Sequence, residues 1–378
     1  MAVERSRLAA FTVALVLANV PAYLAPHQVT AYFDVLHLTP GAAGWLSTAE
    51  IGALAVSNIF APLLPRFRAM PIAIASAVVA AGAELATTWF ASLGLLMPLR
   101  ALVGIGCGLG TFVAAQAIAT SSKAARVFGI ANAGLAGTSA AALAVVPQLP
   151  GNASERAFIP LSLICAVLAI SLWFGRLGGA GSSASPPPCA RSSGWLTRPV
   201  MALFLATVLI FLALGGLWTF SSAEGARLGL SDTAIGAILG WTTLFGLVGG
   251  GLAAWSPWGA GLKGPVTAGC LLAALTCVAV GTAKTSLVFS GAFALYSLTY
   301  QFTMSYLLTL GAVVDTSGRA SAILVGVMLL AVAAGNVLVG TLLDLRMPNV
   351  AWSFGAITCV AAILPLLYSA NRPTLSAS

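Results

Sequence analysis

Three ionisable residues, Glu50, Glu84 and Arg100, stand inside strongly apolar stretches of the chain. A charge in hydrocarbon is expensive, so such residues mark a functional site by default. Two carboxylates beside one guanidinium can hold and release a proton. Glu84 and Arg100 lie on consecutive stretches joined by almost no loop. At about 1.5 Å of rise per helical residue they reach matching heights, which predicts an ion pair. Glu50 falls within roughly 5 Å of the same depth. It has no cationic partner in the sequence besides Arg100, and such a carboxylate suits a proton carrier. Arg100 would then set the proton affinity of a carboxylate near it; the plainer alternative is an inert structural pair. His27, beside Tyr23 and Gln28, titrates near neutral pH and is a fourth proton-coupling candidate. Its plainer reading is a cap on polar contacts near the membrane face.

These residues must be positioned by membrane helices. A bilayer core of roughly 30 Å requires about 20 apolar residues per helix. Twelve such stretches are read at 8–32, 41–63, 70–91, 93–117, 126–147, 157–175, 199–222, 232–253, 264–283, 286–312, 320–343 and 350–370. With 59% hydrophobic and 7% charged residues, the chain cannot clothe a soluble catalytic domain. The net charge of +8 would suggest nucleic acid in a soluble protein. Here its placement argues for orientation instead. With the N-terminus in the cytoplasm, twelve of the 17 Lys and Arg residues fall on the inner side, four on the outer, and Arg100 alone inside a span. That bias predicts both termini in the cytoplasm. Arg5 and Arg7 before an apolar run resemble a signal peptide cut near Ala22 or Ala25, but the run is too long for one. The six cysteines, Cys107, Cys165, Cys189, Cys270, Cys277 and Cys359, lack metal-ligand or redox spacing and read as packing residues.

The one long break in hydropathy, rich in Gly, Ser and Pro, divides the chain into residues 1–175, a flexible linker over 176–198, and residues 199–378. The halves repeat: Leu36, Leu38, Thr39, Ala42 and Gly44 recur as Leu228, Leu230, Ser231, Ala234 and Gly236, an offset of 192 (228 − 36). In both copies a hydroxyl residue stands where a helix needs an N-cap. Arg126 and Arg319, 193 apart (319 − 126), each open the fifth helix of a half. Parallel six-helix repeats with a site at their interface are one pattern of secondary transporters.

On these features, together with Arg100, Gly104 and Gly106 in an R-x-x-x-G-x-G arrangement, residues 8–370 resemble the major facilitator superfamily. The resemblance implies an all-α membrane protein of twelve helices in two pseudo-symmetric six-helix bundles. It associates Arg100 with proton-coupled members and implies a central cavity lined by helices 1, 4, 7 and 10. The chain departs from the family after helix 2. There Ala61, Leu63, Pro65, Arg66 and Arg68 fall on the first Gly, the Leu, the Asp, the Arg and the second Gly of the family's pattern; the acidic residue is missing, which puts a charge lock between inner helix ends in doubt. Helix 5 carries Gly134 and Gly137 without the Gly-Pro pair of antiporters.

Helix 10 bears Tyr296, Tyr300 and Thr303 at spacings of four and three, with Gln301 and Ser305 on the adjacent face. Tyr300 and Gln301 are central, where interfacial anchoring does not account for them, so they are expected to line the cavity. Asn19 and Tyr23 on helix 1, Gln116 on helix 4 and Trp218 on helix 7 are the other substrate-binding candidates. Glu224 is either a solvated rim residue or part of a gate or recognition site. No phosphate loop, metal cluster or nucleophile with a base supports an enzyme, and no cofactor is expected. The leading reading is a proton-coupled secondary transporter of a small organic solute, with export of drug-like or metabolite compounds as the alternative. A sensor or assembly factor on a transporter fold is the alternative of another class. The expected setting is a monomer in a bacterial inner membrane, with no nucleic-acid partner.

Overall fold

The computed structural model describes residues 2–64, 66–121, 123–177, 196–255, 261–315 and 319–370. The first group of helices is α1 (Ala2–Tyr23), α2 (Ala25–Asp34), α3 (Pro40–Phe60), α4 (Arg66–Thr87), α5 (Leu93–Ala119), α6 (Ala124–Val145) and α7 (Ala153–Leu177). The second is α8 (Arg198–Thr219), α9 (Ser221–Arg227), α10 (Asp232–Thr243), α11 (Phe245–Trp255), α12 (Lys263–Gly281), α13 (Ser286–Val314), α14 (Arg319–Asp344), α15 (Pro348–Ala361) and α16 (Ile363–Ala370). Sixteen helices make twelve crossings because four crossings are interrupted by single residues: Leu24, Phe220, Leu244 and Ala362. The first crossing, read as one span over 8–32, is therefore two helices. Pro21 and Pro26 flank the break, and Pro26 lacks the N–H that would bond back across it to Ala22. Most of the 176–198 linker, with Cys189, lies outside the described residues.

Among the described residues eleven segments are long and apolar enough to cross a membrane. The tenth crossing, α13, has length in excess at 29 residues but carries too many polar side chains to join them. That polarity is the first structural sign that α13 faces something other than lipid.

Each half packs on itself, and the halves meet chiefly along two crossings, α3 against α14 and α6 against α10, with a smaller contact of α2 on α8 and α9. The repeated sequence motif builds both. Thr39 Oγ1 accepts from Ala42 N at 3.3 Å, and Ser231 Oγ accepts from Ala234 N at 3.3 Å, so each hydroxyl caps its helix. Five residues on, Gly44 lies against the Asn336 carbonyl of α14 and Gly236 against the Leu143 carbonyl of α6. A Cβ at either position would strike backbone of the opposite half. At these two glycines the backbones of the halves come into contact.

The face that carries Ala2, Leu177, Arg198 and Ala370 is called the terminal face here, and its opposite the far face. The far face is held shut. Asp344 Oδ2 at the end of α14 accepts from Gly41 N at 2.9 Å and Thr39 Oγ1 at 3.1 Å at the start of α3. Arg156 pairs with Asp232 at 3.6 Å across the other crossing. Ser222 Oγ donates to Pro26 O at 2.8 Å. Towards the terminal face α6 and α11 barely meet, and the halves part.

Candidate functional site

Glycines on α5 create the first constellation. A Cβ at Gly104 would strike the Glu50 carbonyl of α3, and one at Gly106 would meet the Ser76 carbonyl of α4 at 2.6 Å. Small residues of this kind let membrane helices approach until their backbones touch. Arg100, one turn earlier on α5, is thereby brought between both neighbours. Its Nη2 donates to Glu84 Oε2 at 2.8 Å and to Thr87 Oγ1 at 2.6 Å, while Nη1 donates to Glu50 Oε2 at 3.3 Å. The guanidinium also lies over the Phe158 ring of α7, 4.9 Å from its centroid. Arg100 and Glu84 are fully buried, and Glu50 is 3% exposed.

The expected Glu84–Arg100 pair is therefore present, but Glu50 does not stand alone. It shares Arg100 and accepts from Gln28 Nε2 at 3.4 Å. The correction follows from Gly104: with no side chain there, α3 and α5 close to contact and carry Glu50 within reach of the guanidinium. His27 is buried outside this group, its Nε2 donating to the Leu143 carbonyl at 2.8 Å.

A cavity of about 790 Å³, counting its mouth, lies between the halves. Trp218 and Tyr296 are stacked on its wall, their centroids 5.3 Å apart and their planes 14° from parallel. Tyr23 meets Trp218 edge-on at 6.3 Å, and Tyr300 meets Phe211 edge-on at 5.3 Å. Gln301, Ser297, Thr219 and Thr243 line the same space from the second half, and Asn132 and Ile51 from the first.

Of the sequence candidates, Tyr23, Trp218, Tyr296, Tyr300 and Gln301 come together here. Asn19 and Gln116 do not. Asn19 Nδ2 donates to Leu15 O at 2.8 Å and Thr111 Oγ1 at 3.2 Å, between α1 and α5. Gln116 is exposed further towards the terminal face. No α5 residue lines the cavity among the described residues, contrary to the expectation that helix 4 would. The α5 glycines draw it back onto α3 and α4, and α1 packs across it where Ala18 approaches Gly110. Glu224 lies on α9 near the far face and accepts from Arg227 Nε at 2.7 Å. Sequence reasoning missed Asn132 and Thr243, whose α6 and α10 positions become cavity wall only because these helices cross between the halves. It missed Thr87 and Phe158 as well; Thr87 lies three residues beyond Glu84 and was within reach of a helical-spacing argument.

Several solved structures share this arrangement across almost their full length. One is a bacterial homologue of the human lysosomal transporter Spinster in an inward-facing, occupied conformation. It has 15% identity and a TM-score of 0.66, over 96% of this chain and 94% of that one. The nucleoside transporter NupG matches at 12% identity and a TM-score of 0.74, over 99% and 100%. A D-xylose–proton symporter matches at 17% identity and 0.70, over 99% of each chain. The chain shares the fold of these membrane transporters. No family model matches the sequence, and no curated protein does. At these identities the likeness concerns the fold, and the wall of the cavity has to be read from its own residues.

Proposed function

We propose that this chain is a secondary active transporter that moves a small organic solute by alternating access, coupled to protons. The observation that supports it most directly is the cavity between the halves, closed over at the far face by contacts from both and parting towards the terminal face. Secondary transporters bind at such an interface near the bilayer midplane and expose it by rocking one repeat against the other. In this reading residues 1–175 and 199–378 are the rocking units, and the terminal face is cytoplasmic in a bacterial inner membrane. The protein acts as a monomer.

Proton coupling rests on a charge count. Glu50 and Glu84 share one guanidinium, so the ionised group carries one negative charge too many for its burial. One proton removes the excess. Glu84 holds the shorter contact to Arg100, whereas Glu50 has the longer one and sits beside Ile51, which lines the cavity. Glu50 is assigned as the proton carrier. The aromatic wall also favours a second reading, export of amphipathic compounds, which differs in direction rather than in site.

Purified protein in proteoliposomes tests the proposal. An imposed proton gradient is expected to drive accumulation of a labelled solute, and absence of gradient-dependent movement across a broad metabolite panel removes it in favour of a sensor. Tyr300→Cys and Gln301→Cys, in a background without the six native cysteines, are expected to react with a small water-soluble thiol reagent. If both stay unreactive in every condition, α13 does not line an aqueous path.

A further inference from the structure

We infer that the cavity takes an uncharged solute with a planar ring and an edge bearing both a hydrogen-bond donor and an acceptor. The inference rests on the transporter reading only for calling that solute a cargo; the binding chemistry stands on the cavity itself.

Charge is excluded first. No Asp, Glu, Lys, Arg or His lines the cavity among the described residues. The nearest candidates are already engaged, since Arg100 is enclosed by Glu84, Glu50, Thr87 and the Phe158 ring, and Glu224 is held by Arg227. An ion entering this space would give up water without meeting a counter-charge, at an effective penalty of several kcal/mol. A neutral molecule incurs no such cost.

The wall then selects shape. Trp218 and Tyr296 form one flat stacked pair, and Tyr23 and Tyr300 stand beside it on opposite halves of the protein. Aromatic groups prefer offset-stacked or edge-to-face partners at centroid separations of about 4.5–7 Å. A planar ring can take both kinds of contact here, whereas a puckered polyol has no π face to offer either.

Two unspent amides supply the polar edge. The side chains of Asn132, on α6, and Gln301, on α13, make no hydrogen bond among the described residues and face the cavity from opposite halves. Each offers a donor and an acceptor. A solute with a lactam, carboxamide or aminopyrimidine edge satisfies either, and one engaged by both ties the two halves together.

The experiment uses the purified full-length protein and matched probes: nicotinamide with nicotinate, uracil with orotate, adenosine with its monophosphate, and glucose as the neutral non-planar control. Thermal unfolding and tryptophan fluorescence report binding, because a ligand that binds only the folded state raises its midpoint. At least one neutral planar member is expected to bind ten times or more tighter than its charged partner and than glucose. Gln301→Leu and Asn132→Leu are expected to weaken that member tenfold or more. Gln301→Lys is expected to move the preference towards the anionic member of the same pair. Equal or tighter binding of the charged members, binding of glucose alone, or no binding by any member overturns the inference. Transport separates the two readings: a neutral probe that binds without crossing the vesicle membrane counts against the transporter and not against this site. A transported anion counts against this site alone.

Discussion

The two halves share a backbone plan and differ in what they bury. The motif offset of 192 carries Glu50 onto Thr242 and Glu84 onto Thr276, and the helix starts Leu93 and Ser286, 193 apart, carry Arg100 onto Phe293. In the first half these positions form one ionic group joining α3, α4 and α5. In the second, Thr242 Oγ1 donates to Ile238 O and Thr276 Oγ1 to Leu272 O, each within its own helix, while Phe293 packs against Phe289, Trp218 and Tyr296. The second half therefore assembles the same six crossings with no ionisable residue at these three positions. The fold does not need Arg100, Glu50 and Glu84, so their retention in the first half calls for a role beyond packing. The aromatic contacts of the second half supply the face that such a role would act upon.

Removing the guanidinium breaks this contrast most severely. Arg100→Ala leaves two buried carboxylates without a counter-charge, and loss of one member of a buried ionic group costs about 3–5 kcal/mol. The expected result is poor expression and a large fall in thermal stability, with partial recovery when Glu50→Gln and Glu84→Gln are added. Normal expression of the single variant would show that the group is not ionised as drawn.

A milder change isolates Glu50. Glu50→Gln keeps the volume and a donor–acceptor group beside Arg100 and Gln28, so folding and solute binding are expected to persist. Gradient-driven accumulation is expected to collapse to equal concentrations inside and out, with solute exchange retained. Parental accumulation by this variant would assign Glu50 to structure alone.

The counterpart positions should show the smallest effects. Thr242→Val and Thr276→Val each remove a hydroxyl bonded only within its own helix, for which a change of about 0.5–1.5 kcal/mol is the ordinary scale. Accumulation is expected to be unchanged. A loss of coupling in either variant would mean that the second half also carries a proton path.

Much of this was legible in the chain. The repeated motif announced both caps, because N-capping depends on residues a few positions apart; that its glycines would join the halves came only from the packing. Matching heights on adjacent helices were enough to foresee Glu84 beside Arg100. Glu50 was misjudged since its reach depends on Gly104, a packing relation between helices distant in sequence. The absence of α5 from the cavity had the same origin, for it follows from how α1, α3 and α4 share its surface. The break at Leu24 was not foreseen although Pro21 and Pro26 flank it, and Phe220 and Leu244 interrupt their crossings with no proline at the site.

The two seams between the halves are unequal. Along α3 and α14 contact runs from Gly41 with Asp344, through Thr48 bonded to the Ala333 carbonyl, to Ile59 against Gly326. Along the other seam it thins once α10 gives way to α11 at Leu244. One seam is a pin and the other a leaf, so the proposed alternating access predicts a swing about α3–α14 more than a symmetric tilt. Spin labels at Gly129 and Gly251, where a Cβ would meet open space, are expected to change separation when solute binds. Labels at Phe60 and Ile323 are expected to hold theirs, and equal changes at both pairs would replace the door with a rocker.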